Sequence, residues 1–199
     1  MHVQILEESP EQLADYARVP IAFLVREVFD GAAIERLRCG QDAAPTPIAA
    51  PYQKDYDAYA DHHPTAWAVR FDIAAWVVLA AYVQHRRVGG AVLVVNDSQL
   101  DLLREPAAHA LLWDLRVAPD ERRRGVGAAL LHAAERRAVD RGASQLRVET
   151  QQINVPACRF YLRYGFSLES VRPDAYPDLP EEVQLLWRKS LASGSRRSG

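Results

Sequence analysis

Along the second half of this chain, stretches of two-residue alternation give way to stretches of helical period, and the switch points mark the elements. Residues 76–84 and 88–96 are β-branched-rich runs flanking His85-Arg86-Arg87, which predicts a β-hairpin. Gly89-Gly90 calls for a bulge or a close backbone approach early in its second strand. After a polar loop, residues 110–117 read as a third strand. Strict alternation puts Leu111, Trp113, Leu115 and Val117 on one face and Leu112, Asp114 and Arg116 on the other. Pro119-Asp120 breaks that strand. Val126, Leu130, Leu131, Ala134 and Ala138 then form one apolar stripe over residues 125–140, an amphipathic helix closed by Gly142. A short strand over 146–150, a helix over 155–164 ending at Gly165 and a last strand over 183–187 follow.

Residues 1–75 are less regular. Ser9 as N-cap with Pro10 at the first helical position predicts a short helix over 10–19. Residues 23–30 are strand-like, and 31–38 return to helix. Pro45, Pro47 and Pro51 among small residues predict a surface loop over 43–51. Residues 52–63 are rich in Tyr and Asp and yield no element. Residues 192–199 are Ser, Gly and Arg, which predicts a disordered tail. The whole is an α/β chain: a β-meander, then strand–helix–strand–helix on a mixed sheet.

Composition narrows the function. A chain of 199 residues can bury the core of one domain. A formal net charge of −2 gives no global field to hold nucleic acid, so any anion site must be local. The cysteines, Cys39 and Cys158, lack metal-ligand spacing; neither a structural metal nor a disulfide framework is expected, which suits a reducing cytoplasm. Met1-His2-Val3-Gln4 lacks the order of a signal peptide, and the most apolar run, 73–83, is short of the roughly 20 residues that span a membrane.

The chemistry concentrates in residues 114–166. Arg122-Arg123-Arg124-Gly125-Val126-Gly127 lies between a strand and a helix. Its glycines let backbone approach a ligand, its N–H groups and the helix start can hold a phosphate, and its arginines add positive charge. The bland alternative is a solvated basic turn. The motif is too short for a dinucleotide fingerprint, and no P-loop Lys-Ser/Thr follows.

In this context the chain resembles the GNAT superfamily of N-acetyltransferases, whose phosphate loop reads Q/R-x-x-G-x-G/A; Arg122, Gly125 and Gly127 match it. A second matching block runs from Asn154-Val155-Pro156-Ala157-Cys158-Arg159-Phe160-Tyr161 into Tyr164-Gly165-Phe166. The resemblance implies a GNAT fold in one domain over 1–191, with an acetyl-CoA core over 76–191 and a variable substrate-side part over 1–75. It implies splayed central strands ending near Val117 and Thr150, with the pantetheine arm between them. Leu115, Arg116 and Val117 would flank the arm, with a backbone N–H near Val117 polarising the thioester carbonyl. Arg122, Arg123, Arg124, Gly125, Val126, Gly127 and Ala128 would hold the pyrophosphate, and Asn154 would contact the arm. Tyr161 would protonate the leaving thiolate after direct attack by an amine; the alternative is that Tyr161 is core, as is expected of Phe160. Asp114 and Glu149 are the candidate bases. Many relatives carry an acid where Trp113 stands, so Trp113 is either core packing or the mark of a non-catalytic acetyl-CoA-binding module.

Other segments resemble streptothricin acetyltransferases: residues 23–30, 51–56, 149–158 and 176–187, the last of these like that group's final hairpin. This implies a small cationic acceptor with a primary amine. A monomer or homodimer is expected, without nucleic-acid or membrane partners. Asp55, Asp57, Asp61, Asp114, Glu149, Glu181 and Glu182 could attract such a cation, and Tyr52, Tyr56, Tyr59 and Tyr176 could pack on it. Of these, Tyr52, Tyr56, Tyr176 and Glu182 are the candidate substrate residues. Polyamine or peptide amines are the alternative acceptors. Trp67 and Phe71 lie in an inserted segment that differs from the shorter streptothricin enzymes.

Overall fold

The computed structural model describes residues 2–95 and 109–191. The polar loop before the third predicted strand, Asn96 and the tail 192–199 lie outside the described residues. The chain divides into two compact units, each drawn from separate stretches of sequence. The first takes residues up to Ile21, 55–146 and from Ser190 on; the second takes 22–54 and 147–189.

In the first unit an antiparallel sheet runs in the order β1 (Gln4–Glu8), β4 (Val77–Val83), β5 (Arg86–Val95), β6 (His109–Val117). The predicted hairpin is β4–β5, with a turn shorter than expected: Arg86 and Arg87 already belong to β5. Pairing passes from Ala81↔Gly89 to Tyr82↔Arg87, so Val88 is an extra residue, a bulge beside the glycine pair. Close approach is present as well. A Cβ on Gly90 would lie 2.4 Å from the Tyr16 ring.

One expectation fails at β6. Pairing passes from Leu93↔Leu112 to Val92↔Asp114, leaving Trp113 as a second bulge. The extra residue turns the rest of the strand over. Asp114 and Arg116 therefore share the face of Leu111, opposite to what strict alternation predicts. On that face Leu13, Tyr16, Trp67, Trp76, Val78, Val92, Val94 and Leu111 form a core, with Phe71, Ile73 and Trp113 packed against it. Trp113 meets Trp67, Phe71 and Trp76 at ring-centroid distances of 6.0, 5.3 and 5.2 Å. It is core packing, one of the two roles expected of it.

The sheet's other face carries α4 (Val126–Asp140), which packs on β4, β5 and β6. All five residues of its predicted apolar stripe are buried. The helix predicted over 10–19 is a 3-10 turn, Pro10–Gln12, followed by α1 (Leu13–Tyr16), with Ser9 Oγ capping Glu11 N–H. Unforeseen elements in this unit are β1, the 3-10 turn Tyr56–Ala58 and α3 (Pro64–Arg70), which packs on α1.

The second unit holds an antiparallel pair, β2 (Phe23–Val28) with β3 (Thr46–Lys54), joined by α2 (Gly31–Arg38). Asp30 caps α2 by accepting from Ala33 N–H, and its other oxygen accepts from Thr46 Oγ1. The proline-rich stretch predicted as loop is thus largely strand. β3 has a single partner strand, so a proline's missing N–H can face away from the ladder, and Pro51 sits where register with β2 is lost between Val25 and Glu27. The expectation that this stretch is exposed holds. The unit also contains β7 (Gln145–Gln151, whose first two residues lie in the first unit), α5 (Val155–Arg163), and β8 (Ser167–Arg172) paired with β9 (Gln184–Ser190). β8 was not foreseen. Residues 176–187, expected in a final hairpin, lie in the β8–β9 hairpin, as its connection and the start of β9.

Candidate functional site

The phosphate-loop candidate lies in the first unit. The 3-10 turn Pro119–Glu121 closes β6, and a buried Glu121 organises it. Its carboxylate takes Arg86 at 2.7 Å and Arg124 at 3.1 Å. Arg124 is thereby held at the rim of the turn. Arg123 (φ 62°) and Gly125 (φ 89°) both adopt left-handed backbone around Arg124. This irregular path delivers the chain to the start of α4, whose Gly125 C=O accepts from Ala129 N–H. A helix start leaves the amides of its first turn without intrahelical acceptors. Those amides, beside exposed arginines, suit an anionic oxygen. Gly125 is exposed, and a Cβ placed on it would meet nothing within 4 Å. The open space fits a phosphate against the backbone.

Two arginines expected at the cofactor have other partners. Arg122 Nε donates to Val117 C=O at 3.0 Å and its Nη2 lies 3.5 Å from Pro20 C=O; burial lowers its pKa. Arg116 is 2% exposed. It binds Asp57 at 2.8 Å, Asp114 at 2.8 and 3.0 Å and Val19 C=O at 3.2 Å, with its guanidinium 4.9 Å from the Tyr16 ring centre. Burial acts to lower its pKa, but Asp114, Tyr16 and Asp57 together more than reverse this, so the charge is permanent. Tyr16 Oη completes the cluster by donating to Asp114 at 2.5 Å; burial, reinforced by Asp114, pushes this phenol well above its ordinary value. Asp114 is fully engaged in this network. Leu115 and Val117 are half-buried on β6.

A second polar cluster forms in the other unit. Tyr176 Oη donates to Glu149 Oε1 at 2.5 Å and accepts from Gln151 Nε2 at 2.9 Å. Gln184 Nε2 donates to Glu149 Oε2 at 2.8 Å. Burial pushes the Glu149 carboxyl above its usual range, although these hydrogen bonds and Arg172 pull the other way. Burial and Glu149 together raise the Tyr176 phenol. Gln151 and Gln184 were not singled out from sequence. Gln151 follows Glu149 by two residues on one strand and so shares its face, and Gln184 is the one polar residue of the strand predicted over 183–187.

Tyr161 is buried on α5, its ring 5.3 Å from Phe160 and 5.2 Å from Phe166. Phe160, expected as the core residue of the pair, is only half-buried. Asn154 caps α5, accepting from Ala157 N–H at 3.3 Å. Cys158 is buried beside Thr150 and its thiol is pushed up to about 12, which removes it as a nucleophile at neutral pH. Among the proposed substrate residues, Glu182 is buried in an ion pair with Lys54, and Tyr52 is exposed on β3. Tyr56 belongs to the first unit, near Tyr59 and His62. His63 caps α3. Among the described residues no set of three His, Cys, Asp or Glu side chains could hold a metal, and no helix is long and apolar enough to cross a membrane.

Comparison with known proteins gives this geometry its class. The description "Acetyltransferase (GNAT) family" matches residues 37–166. The chain belongs to that family and is an acetyl-CoA-dependent acetyltransferase. It is 30% identical to a streptothricin acetyltransferase of Escherichia coli, over 89% of this chain and 91% of that protein. It is 40% identical to streptothricin acetyltransferase A of Bacillus subtilis (strain 168) over 40% of this chain, a segment spanning 47% of that relative. A solved structure from Bacillus anthracis str. Ames, in complex with acetyl coenzyme A, superimposes with a TM-score of 0.73 at 21% identity, covering 96% of this chain and 99% of that one. The mixed α/β GNAT fold expected from sequence is the fold observed.

Proposed function

We propose that the protein moves an acetyl group from acetyl-CoA to a primary amine of a small cationic acceptor of the streptothricin class, with residues 1–191 as the working domain. The observation that carries the acceptor is the likeness over 89% of the chain to a relative named for that acceptor. The donor supplies the acetyl group as a thioester. Arg123, Gly125 and the first turn of α4 hold its pyrophosphate, while Arg122 shapes the loop from Val117.

In the second unit, Glu149 accepts a proton from the acceptor ammonium, which frees the amine lone pair. A carboxylate raised by burial is a stronger base than a solvated one and suits that task. The amine forms a bond to the carbonyl carbon, the carbon–sulfur bond breaks, and Tyr161 gives its hydroxyl proton to the departing thiolate. Tyr176 lies against the base and borders the acceptor. Asp114 and Glu182, each engaged with a buried cation, serve structure in this reading.

The test is thiol release from acetyl-CoA with streptothricin, an aminoglycoside, a polyamine and a peptide amine as separate acceptors. Release is expected with streptothricin and far more slowly with the rest. No release with any amine, despite tight acetyl-CoA binding, would favour a non-catalytic module. A second expectation concerns Tyr161→Phe, which keeps the ring contacts. Turnover should fall about 100-fold while acetyl-CoA affinity stays within about twofold. Unchanged turnover would remove Tyr161 as the acid.

A further inference from the structure

We propose that Gln184 is a positioning residue of the transfer reaction: its side-chain amide anchors the Glu149 carboxylate for the acceptor amine. The proposal rests on the reading of Glu149 as the base and names the group that holds it in place.

Gln184 is 8% exposed and lies next to fully buried Leu185 on β9. Its Nε2 donates to Glu149 Oε2, but its Oε1 is buried with no hydrogen-bond partner among the described residues. Turning the amide over would set a carbonyl against a carboxylate, so Glu149 dictates the orientation. An orphaned buried carbonyl is a cost that an apolar side chain of the same size would not carry. Met or Leu would remove that cost but would also give up the donor to Glu149, so stability alone does not call for Gln here. What Gln184 offers in exchange is one directed donor on the catalytic carboxylate.

The two carboxylate oxygens are treated alike. Tyr176 Oη occupies Oε1 and Gln184 Nε2 occupies Oε2, so the plane of the carboxylate is pinned at both ends. Gln151 orients Tyr176 in turn, and Arg172 is the further charge that acts on Glu149. Each oxygen has a remaining lone pair for an incoming N–H. Removing the Gln184 donor leaves the charged carboxylate buried with less support, so it holds its proton to higher pH. A base must be deprotonated to work, and the acid limb of activity therefore moves upward.

The experiment compares wild type, Gln184→Met and Glu149→Gln in the full chain, with streptothricin and acetyl-CoA. It records thermal midpoint and kcat/KM across pH; Gln184→Leu is the second replacement should Met prevent folding. Gln184→Met is expected to melt within about 5 °C of wild type, because relief of the orphaned carbonyl offsets the lost donor. At a fixed pH on the acid limb its kcat/KM should be about tenfold lower, recovering at higher pH. The acceptor amine ionises identically in both reactions, so a displacement of the limb belongs to the enzyme. A loss that is uniform in pH, or that follows a melting temperature lowered beyond that margin, would make Gln184 structural and overturn the proposal. An unmoved limb in Gln184→Met, with activity abolished in Glu149→Gln, would overturn it and leave Glu149 as base. A normal profile in Glu149→Gln would overturn the underlying reading itself.

Discussion

Gly125→Glu should abolish measurable acetyl-CoA binding, weakening it at least about 100-fold, in a protein that still folds. Two separable effects add. At φ 89° any L-residue pays a backbone strain of about 1–2 kcal/mol. A carboxylate then stands at the helix start where a phosphate oxygen belongs, and its repulsion falls on the ligand alone. Gly125→Ala isolates the first effect, because its Cβ meets no neighbouring atom. Calorimetric titration with acetyl-CoA should place the Ala variant within about tenfold of wild type and the Glu variant beyond detection. Circular dichroism should show both folded, since Gly125 is exposed and precedes the packed part of α4. Equal affinity in all three proteins would remove the loop from the cofactor site.

The loop could be singled out from sequence because its chemistry is local. Arg122, Gly125 and Gly127 lie within six residues, and the apolar stripe of α4 begins inside the same stretch. Period and punctuation likewise located the β4–β5 hairpin, α2, α4 and α5, whose signals each lie within one short stretch of sequence. The bulge at Trp113 was hidden for the opposite reason. Alternation continues through it in the letters Leu111 to Val117, and only the register against β5 shows that one residue is extra. Pro47 and Pro51 misled for a related reason. A proline penalises a strand through its missing donor, and that penalty vanishes on an edge, which is a property of the sheet.

The candidate site divides along the same line. Glu149 and Tyr161 could be named because each sits in or beside a recognisable block. The partners of Glu149 are Tyr176 and Gln184, reached only through a connection whose path the sequence does not state. The acids counted as a cation-attracting set show the limit of composition most plainly. Asp57 and Asp114 are both engaged by Arg116, and Glu182 by Lys54. A carboxylate held by a buried cation is not free to line a pocket for a substrate.

Asp114→Ala is the expected large stability loss, about 3–5 kcal/mol, because it breaks a buried ion pair from one side. Asp114 and Arg116 side chains are 7% and 1% exposed, and Asp57 is 16% exposed. Without Asp114, the Arg116 guanidinium keeps only Asp57 and the Val19 carbonyl, and the Tyr16 hydroxyl loses its acceptor in a fully buried position. Such a loss is a large share of the 5–15 kcal/mol that holds a typical domain folded. Asp114→Asn should cost less, since an amide oxygen can still accept from Tyr16. Urea unfolding should show a lowered midpoint with an unchanged slope for both variants, the Ala variant the lower. The same pair decides between the two candidate bases. If Asp114 only holds Tyr16 and Arg116 to β6, Asp114→Asn retains turnover within about tenfold at temperatures where it is folded, whereas removal of a general base costs 10²–10⁴-fold. A fully folded Asp114→Asn with turnover lost on that scale would return the catalytic role to Asp114 and take it from Glu149.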